Sequence, residues 1–228
     1  MKKRDSTLGS YLHDIILGGQ DGMVNVLGVV LAIAAATNET RVIIIAGIAA
    51  NLAESLSMAS VAYTSTQAYN QYYYSELARE KKEIRDVPDE ERREVRTIYR
   101  RKGFRGKLLD QIVAKITSSK KLWLDTMMTE ELNLSVRQIG GPVQSAVVVG
   151  ISALIGSTIP LLPFFFVSVK MGVVISLISS TLALFVTGAV KAKFTIGSWL
   201  KNGLEMALIG IITALLGYGI GLILGRVF

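Results

Sequence analysis

Three carboxylates interrupt otherwise apolar stretches of this 228-residue chain: Asp14, Asp21 and Glu54. A charged side chain at membrane depth costs about 3 kcal/mol on insertion scales unless it is paired, hydrated or protonated. Asp14 and Asp21 are seven residues apart, nearly two helical turns, so they share a helix face, and Asn25 continues that face. Asn51, Glu54 and Met58 follow at steps of four or fewer on a second helix. With the inner boundary near Asp14, Asp21 lies about 10 Å deep. Glu54 and Met58 then lie about 15 and 9 Å from the inner end of a span running the other way. Carboxylate and amide oxygens with one thioether suit a divalent first-row metal such as manganese or iron better than magnesium or calcium. Each residue also has a plain structural reading: Asp14 as an interfacial cap, Glu54 as a protonated interhelical donor, Met58 as packing.

A second set of acids lies between residues 67 and 142. Glu80 and Glu83 are three apart, as are Glu91 and Glu94, while Met127, Met128 and Glu131 fall close together. Each set can face one direction on its own helix, and three helices could converge. Carboxylates gathered in this way repel one another unless protons or a cation sit among them. The plain alternative is a solvated charged bundle held by intrahelical pairs such as Glu90 with Arg93.

The elements that must position these residues are helices. Half of the sequence is hydrophobic and the mean hydropathy is +0.43. The apolar residues form spans at roughly 14–36, 42–64, 143–166, 171–191 and 204–226, each long enough to cross about 30 Å of hydrocarbon. The expected architecture is an all-α membrane protein: transmembrane helices 1–2 in residues 1–66, a cytoplasmic helical metal-binding insertion in 67–142, and transmembrane helices 3–5 in 143–228. Span 2 continues as a helix beyond the bilayer, with Tyr69, Tyr72, Tyr73 and Tyr74 as an interfacial belt. Pro88 opens a helix that Gly103 stops, and further helices cover about 105–117 and 120–134, with Ser118 or Ser119 as cap. Gly140, Gly141 and Pro142 lead into span 3. Gly217, Gly221 and Gly225 give span 5 a face for close helix packing.

Of the 25 Lys and Arg residues, all but Arg41, Lys170 and Arg226 lie on one side of this topology. Lys2, Lys3, Arg4, Lys191, Lys193 and Lys201 sit nearest the span ends and weigh most. The N-terminus and the insertion are therefore expected to be cytoplasmic. The net charge of +7 reflects that bias and a surface for anionic lipid rather than nucleic-acid binding, since bases and acids are interleaved in the insertion. The absence of cysteine excludes disulfides and thiolate metal sites, and the one histidine, His13, excludes a histidine-built zinc centre. A diiron oxidase would want Glu-x-x-His pairs, and no Gly-x-x-x-x-Gly-Lys-Ser/Thr loop supports an ATP-driven pump. An enzyme is not expected.

The chain resembles the vacuolar iron transporter family over essentially its whole length. The resemblance is carried by Gly18-Gly19-Gln20-Asp21-Gly22, Ser57-Met58-Ala59, the Glu80/Glu83 and Glu91/Glu94 pairs, Met127-Met128-x-x-Glu131 and Ile159-Pro160-Leu161-Leu162-Pro163. It implies a homodimer that exports Fe²⁺, and often Mn²⁺, from the cytosol in exchange for protons, with no prosthetic group. Asp21 and Met58 match residues of the translocation path. Glu80, Glu83, Glu91, Glu94, Met127, Met128 and Glu131 match the metal ligands of a cytoplasmic domain. One departure stands out: Val61-Ala62-Tyr63 replaces a Gly-Glu-aromatic triplet, so the acid expected at 62 is missing. Glu54 lies eight residues earlier, rotated by about 80° from that position. The rival reading is a membrane-anchored iron sensor or store. The expected location is a prokaryotic plasma membrane or, in a eukaryote, the vacuolar membrane.

Overall fold

A computed structural model describes residues 6–135, 141–194 and 197–227, without the side chains of residues 6–8 and 10. Lys2, Lys3, Arg4 and Gly140, used above for orientation and chain direction, lie outside the described residues. All regular elements among the described residues are helical: α1 (Ser6–Ala36), α2 (Thr40–Asp86), α3 (Pro88–Arg101), α4 (Gly106–Thr117), α5 (Lys120–Thr126), a π-helical turn (Met127–Glu131), α6 (Pro142–Leu161) with a 3₁₀ turn (Leu162–Phe165), α7 (Val169–Phe194) and α8 (Trp199–Val227). Five of them are long and apolar enough to cross a membrane: α1, α2, α6, α7 and α8. Four of the five expected spans fall within these helices; the third, 143–166, runs from α6 through the 3₁₀ turn and one residue past it. The chain divides into two compact units, one of residues 1–63 with 142–228 and the other of residues 64–141.

In the first unit the apolar side chains divide between a packed interior and an outer surface. Val26, Val30, Ile43, Leu161, Phe164 and Val169 form one buried cluster, and Met23, Leu184 and Met206 form another. Leu56, Leu182, Leu215 and Ile223 are exposed. Helices apolar on every side belong in lipid, where the outer face needs no polar cover. Lipid supplies no hydrophobic drive between helices, so close packing of small residues holds them. A Cβ on Gly18 would lie 2.2 Å from the Val149 carbonyl oxygen, and one on Gly22 2.6 Å from that of Ala153, so α1 meets α6 backbone to backbone. On the other flank of α1, Gly217, Gly221 and Gly225 of α8 lie against Gly28, Ala32 and Ala36. The glycine ladder of span 5 is thus spent inside the protomer. Pro160, inside α6, and Pro163, in the 3₁₀ turn, each lack a backbone donor. The buried Ser176 hydroxyl donates to the Pro160 carbonyl at 2.7 Å.

The second unit holds the end of α2 with α3, α4, α5 and the π turn. Val95, Leu109, Val113, Ile116, Trp123 and Met127 make its main core. Pro88 occupies the first turn of α3 behind three acids, Asp89, Glu90 and Glu91, and Arg100 and Arg101 close its last turn, which suits the helix dipole at both ends. Gly103 follows at φ +100°, a left-handed conformation that glycine adopts without strain. Ser119 caps α5 by accepting from the Leu122 amide at 3.4 Å.

Two expectations change here. The helix expected over 120–134 is α-helical only to Thr126 and then widens into the π turn. Leu132 N–H reaches the Met127 carbonyl, and Leu134 N–H reaches that of Met128. Met127 and Met128 are adjacent, yet both are buried, in two different apolar clusters, and the wider turn accommodates that. The tyrosines do not act as one belt. Tyr72 and Tyr74 are exposed, whereas Tyr73 is buried with Met128 and Leu134.

Candidate functional site

Within the first unit, α1 and α2 bring two span carboxylates, Asp21 and Glu54, together. The Asn25 side-chain amide donates to Asp21 Oδ2 at 3.2 Å on its own helix and to Glu54 Oε1 at 3.0 Å on α2. The four-residue step from Asp21 to Asn25 puts both on one side of α1, as periodicity requires. Asn25 is exposed on the single chain, and Asp21, Glu54 and Met58 are half-buried. Met58 lies one turn beyond Glu54.

Asp14 and Asn51 turn elsewhere. Asp14 is buried and accepts from the Ser145 hydroxyl at 2.8 Å, in the first turn of α6, with His13 Nδ1 at 3.2 Å. A carboxylate at a helix N-terminus is favoured by the unpaired amides and the dipole there. Tyr11 and Gln144 join the same two helices by a hydrogen bond. Asn51 is buried, donates to Thr158 Oγ1 on α6 at 3.2 Å and accepts from the Ser55 hydroxyl at 3.3 Å. Ala62, where the acid of the resemblance is missing, is buried, while its neighbours Val61 and Tyr63 are exposed.

In the second unit Glu80, Glu83 and Glu91 each offer a carboxylate oxygen, and these three oxygens lie within 4.8 Å of one another. Glu80 is 2% exposed and Glu91 4%. One oxygen of each, Oε2, is buried without a hydrogen-bond partner. Buried carboxylate oxygens left unpaired are costly, and a cation among them would satisfy them. Loss of solvent, with the charges of Glu94, Glu80, Glu83 and Glu131, pushes the Glu91 pKa up to about 7. Glu131 shares a hydrogen bond with Glu94. Although its side chain as a whole is exposed, partial desolvation, with Glu94 and Glu80 close by, pushes Glu131 to about 7 as well. Two carboxyls that titrate near neutrality can trade protons for a cation. The donor set is all oxygen, which suits hard and borderline dications, Mg²⁺, Ca²⁺, Mn²⁺ or Fe²⁺, rather than soft metals.

Met127 and Met128 are buried beside this cluster in sequence but packed in apolar surroundings: Met127 with Val95 and Trp123, Met128 with Tyr73 and Leu134. Sequence reasoning missed Glu76 and Arg79. The Arg79 guanidinium sits 2.7 Å from Glu76, 3.3 Å from Glu80 and 4.0 Å from Glu83. The three- and four-residue steps along α2 were the available signal. Ser145 and Thr158 were also missed, and nothing local marks them, because their importance comes from a partner more than a hundred residues away.

Five apolar helices, a carboxylate pair tied by one amide among them, and a separate glutamate pocket define a helical membrane protein equipped with candidate cation sites. The sequence model of the VIT family matches residues 12–222, and the chain belongs to that family. It is 32% identical to Vacuolar iron transporter 1 of Eucalyptus grandis over 219 residues, covering 96% of this chain and 88% of the relative. It is also 32% identical to Vacuolar iron transporter 1 of Arabidopsis thaliana over 209 residues, 91% and 84% of the two chains. The Vacuolar iron transporter of Toxoplasma gondii (strain ATCC 50861 / VEG) is 27% identical over 229 residues, 96% and 76% of the two chains. These relatives are named as transporters, not enzymes.

Proposed function

We propose that the protein moves a divalent metal ion, Fe²⁺ and also Mn²⁺, out of the cytosol in exchange for protons. The observation that carries this reading is the Asn25 amide bonded to both Asp21 and Glu54 within membrane-spanning helices. Anchoring helices have no use for two carboxylates there, and lipid penalises them. The names of the relatives support iron as cargo. Asp21, Asn25, Glu54 and Met58 form the intramembrane station. Asp14 and Asn51 flank it while bracing α6 through Ser145 and Thr158. The amide that now presents its nitrogen to both acids offers its oxygen to a cation after a half-turn of the side chain.

Glu80, Glu83, Glu91, Glu94 and Glu131, with Met127 and Met128 beside them, form a cytoplasmic collecting pocket. Glu54 stands in for the acid absent at 62. At both stations protons and the dication compete for the same oxygens, so a proton gradient can drive release; each pH unit supplies about 1.4 kcal/mol per proton exchanged. The exposed polar edge formed by Asn25 on a single chain is suited to cover by a second copy, so the working unit is a homodimer. The membrane is the plasma membrane of a prokaryote or the vacuolar membrane of a eukaryote.

Proteoliposomes loaded with a ferrous-sensitive dye test the proposal. Fe²⁺ and Mn²⁺ uptake should depend on the pH gradient, with Zn²⁺ as comparison. Asp21→Ala and Glu54→Gln should each lower flux at least about tenfold, the scale of one lost charged ligand. Gradient-driven flux unchanged in both variants would remove the intramembrane station. Tight metal binding with no flux in the unmodified protein would make it a membrane-anchored store or sensor instead.

A further inference from the structure

The glutamate pocket contains a cation of its own. Arg79 lies on α2 one residue before Glu80, and its guanidinium reaches Glu76 at 2.7 Å, Glu80 Oε1 at 3.3 Å and Glu83 Oε1 at 4.0 Å. Two of those three acids, Glu80 and Glu83, belong to the trio whose oxygens lie within 4.8 Å of one another. Glu80 therefore divides its oxygens: Oε1 faces Arg79, and Oε2 is buried without a partner. The Arg79 side chain is 49% exposed, whereas that of Glu80 is 2% exposed. The arginine can withdraw into water, and the glutamate cannot. Glu76, the nearest of its partners, is outside the trio and would keep hold of the withdrawn guanidinium.

We propose that Arg79 is a tethered competitor of the metal ion that holds Glu80 and Glu83 until a dication displaces it onto Glu76. The inference rests on the reading that Glu80, Glu83 and Glu91 bind the metal. Its physical basis is that a guanidinium and a dication cannot both occupy the same few ångströms between carboxylates, because their repulsion adds to the loss of ligand oxygens. A fixed positive charge keeps the acidic cluster together when protons leave it, and it lowers metal affinity so that a captured ion can be passed on. Arginine suits this role because it stays charged at every physiological pH and its fork spans two carboxylates.

The test is Mn²⁺ titration of the full chain in detergent, by calorimetry and by the loss of the free-ion electron paramagnetic signal. Arg79→Gln should tighten Mn²⁺ binding about tenfold, the effect of removing one close like charge from a partly solvated site. Arg79→Lys should stay near the unmodified protein. Arg85→Gln, which removes an exposed charge paired with Asp86, should change nothing. Thermal unfolding without metal should show Arg79→Gln destabilised and more strongly rescued by Mn²⁺. Folded Arg79→Gln recovered only in the presence of Mn²⁺ supports the same inference. Unchanged or weaker Mn²⁺ binding by Arg79→Gln, or misfolding with and without Mn²⁺, overturns it. Glu91→Gln serves as the separate check on the pocket. If it leaves Mn²⁺ affinity intact, the metal-site reading itself fails; if it weakens Mn²⁺ binding while Arg79→Gln does not tighten it, only the role of Arg79 fails.

Discussion

Glu91 and Glu131 carry protons well above the range of ordinary carboxyls, at about 7. In an unfolded chain the same groups lose them near pH 4.5. Between these values the folded state holds more protons at these two groups than the unfolded one, so their contribution to stability is fully present below about pH 4.5 and is lost as pH rises through about 7. Thermal unfolding in detergent with a chelator present should therefore show a midpoint that declines from pH 5 to pH 8. Glu91→Gln, neutral at every pH, should flatten the decline. Metal affinity should run the opposite way. Below pH 7 a bound cation must expel one or two protons, so Mn²⁺ affinity should drop by about ten- to a hundredfold per pH unit, measured by calorimetric titration. An affinity independent of pH between 5.5 and 7.5 would mean that neither glutamate meets the ion. The Asp14 oxygens are engaged by Ser145 and His13. Asp14→Ala should cost about 1–2 kcal/mol of stability through the lost hydrogen bond to Ser145 on α6.

At the level of the helices, small residues decide how closely the spans approach. A Cβ on Gly221 would lie 2.0 Å from the Ala32 carbonyl oxygen, whereas one on Gly219 meets nothing within 4 Å. Gly221→Ala should thus destabilise the folded protein by about 1–3 kcal/mol, by the usual cost of overpacking. Gly219→Ala on the same helix should be neutral, and detergent thermal melts of the two separate the cases. Much of this level could be read in the sequence. The five spans followed from apolar runs, the stop at Gly103 and the start at Pro88 from local backbone chemistry, and the Ser119 cap from its side chain. The π turn could not be read, because it comes from two adjacent methionines finding burial in separate clusters, a tertiary demand that no local propensity announces. Tyr73 left the expected belt for the same reason. In the candidate sites, helical spacing pointed to the Glu80/Glu83 and Asp21/Asn25 pairs. Depth counting already set Asp21 rather than Asp14 near the level of Glu54, but whether Asn51 turns toward that pair or toward Thr158 on α6 depends on helix rotation. A few tens of degrees settle that choice, and sequence periodicity does not resolve angles so small.

For the molecule as a whole, the side each loop faces can be measured directly, because the chain contains no cysteine. Single cysteines placed by Lys115→Cys and Glu39→Cys should react with an impermeant maleimide from opposite faces of the membrane, Lys115→Cys from the cytosol. Labelling of both from one face would refute the proposed topology. Light scattering in detergent should give a protein mass about twice the 24.7 kDa of one chain; a single-chain mass would leave Asn25 facing lipid and remove the homodimer. The backbone-level seams on both flanks of α1 carry a further consequence. Wedged between Val149 and Ala153 on one side and Gly217 and Gly221 on the other, this helix is packed at backbone distance along both flanks. Asp21 therefore rides on a helix held closely from two sides. Glu54 rides on α2, which turns Leu52 and Leu56 outward. Widening or narrowing the gap that the Asn25 amide bridges costs least when α2 supplies the stroke.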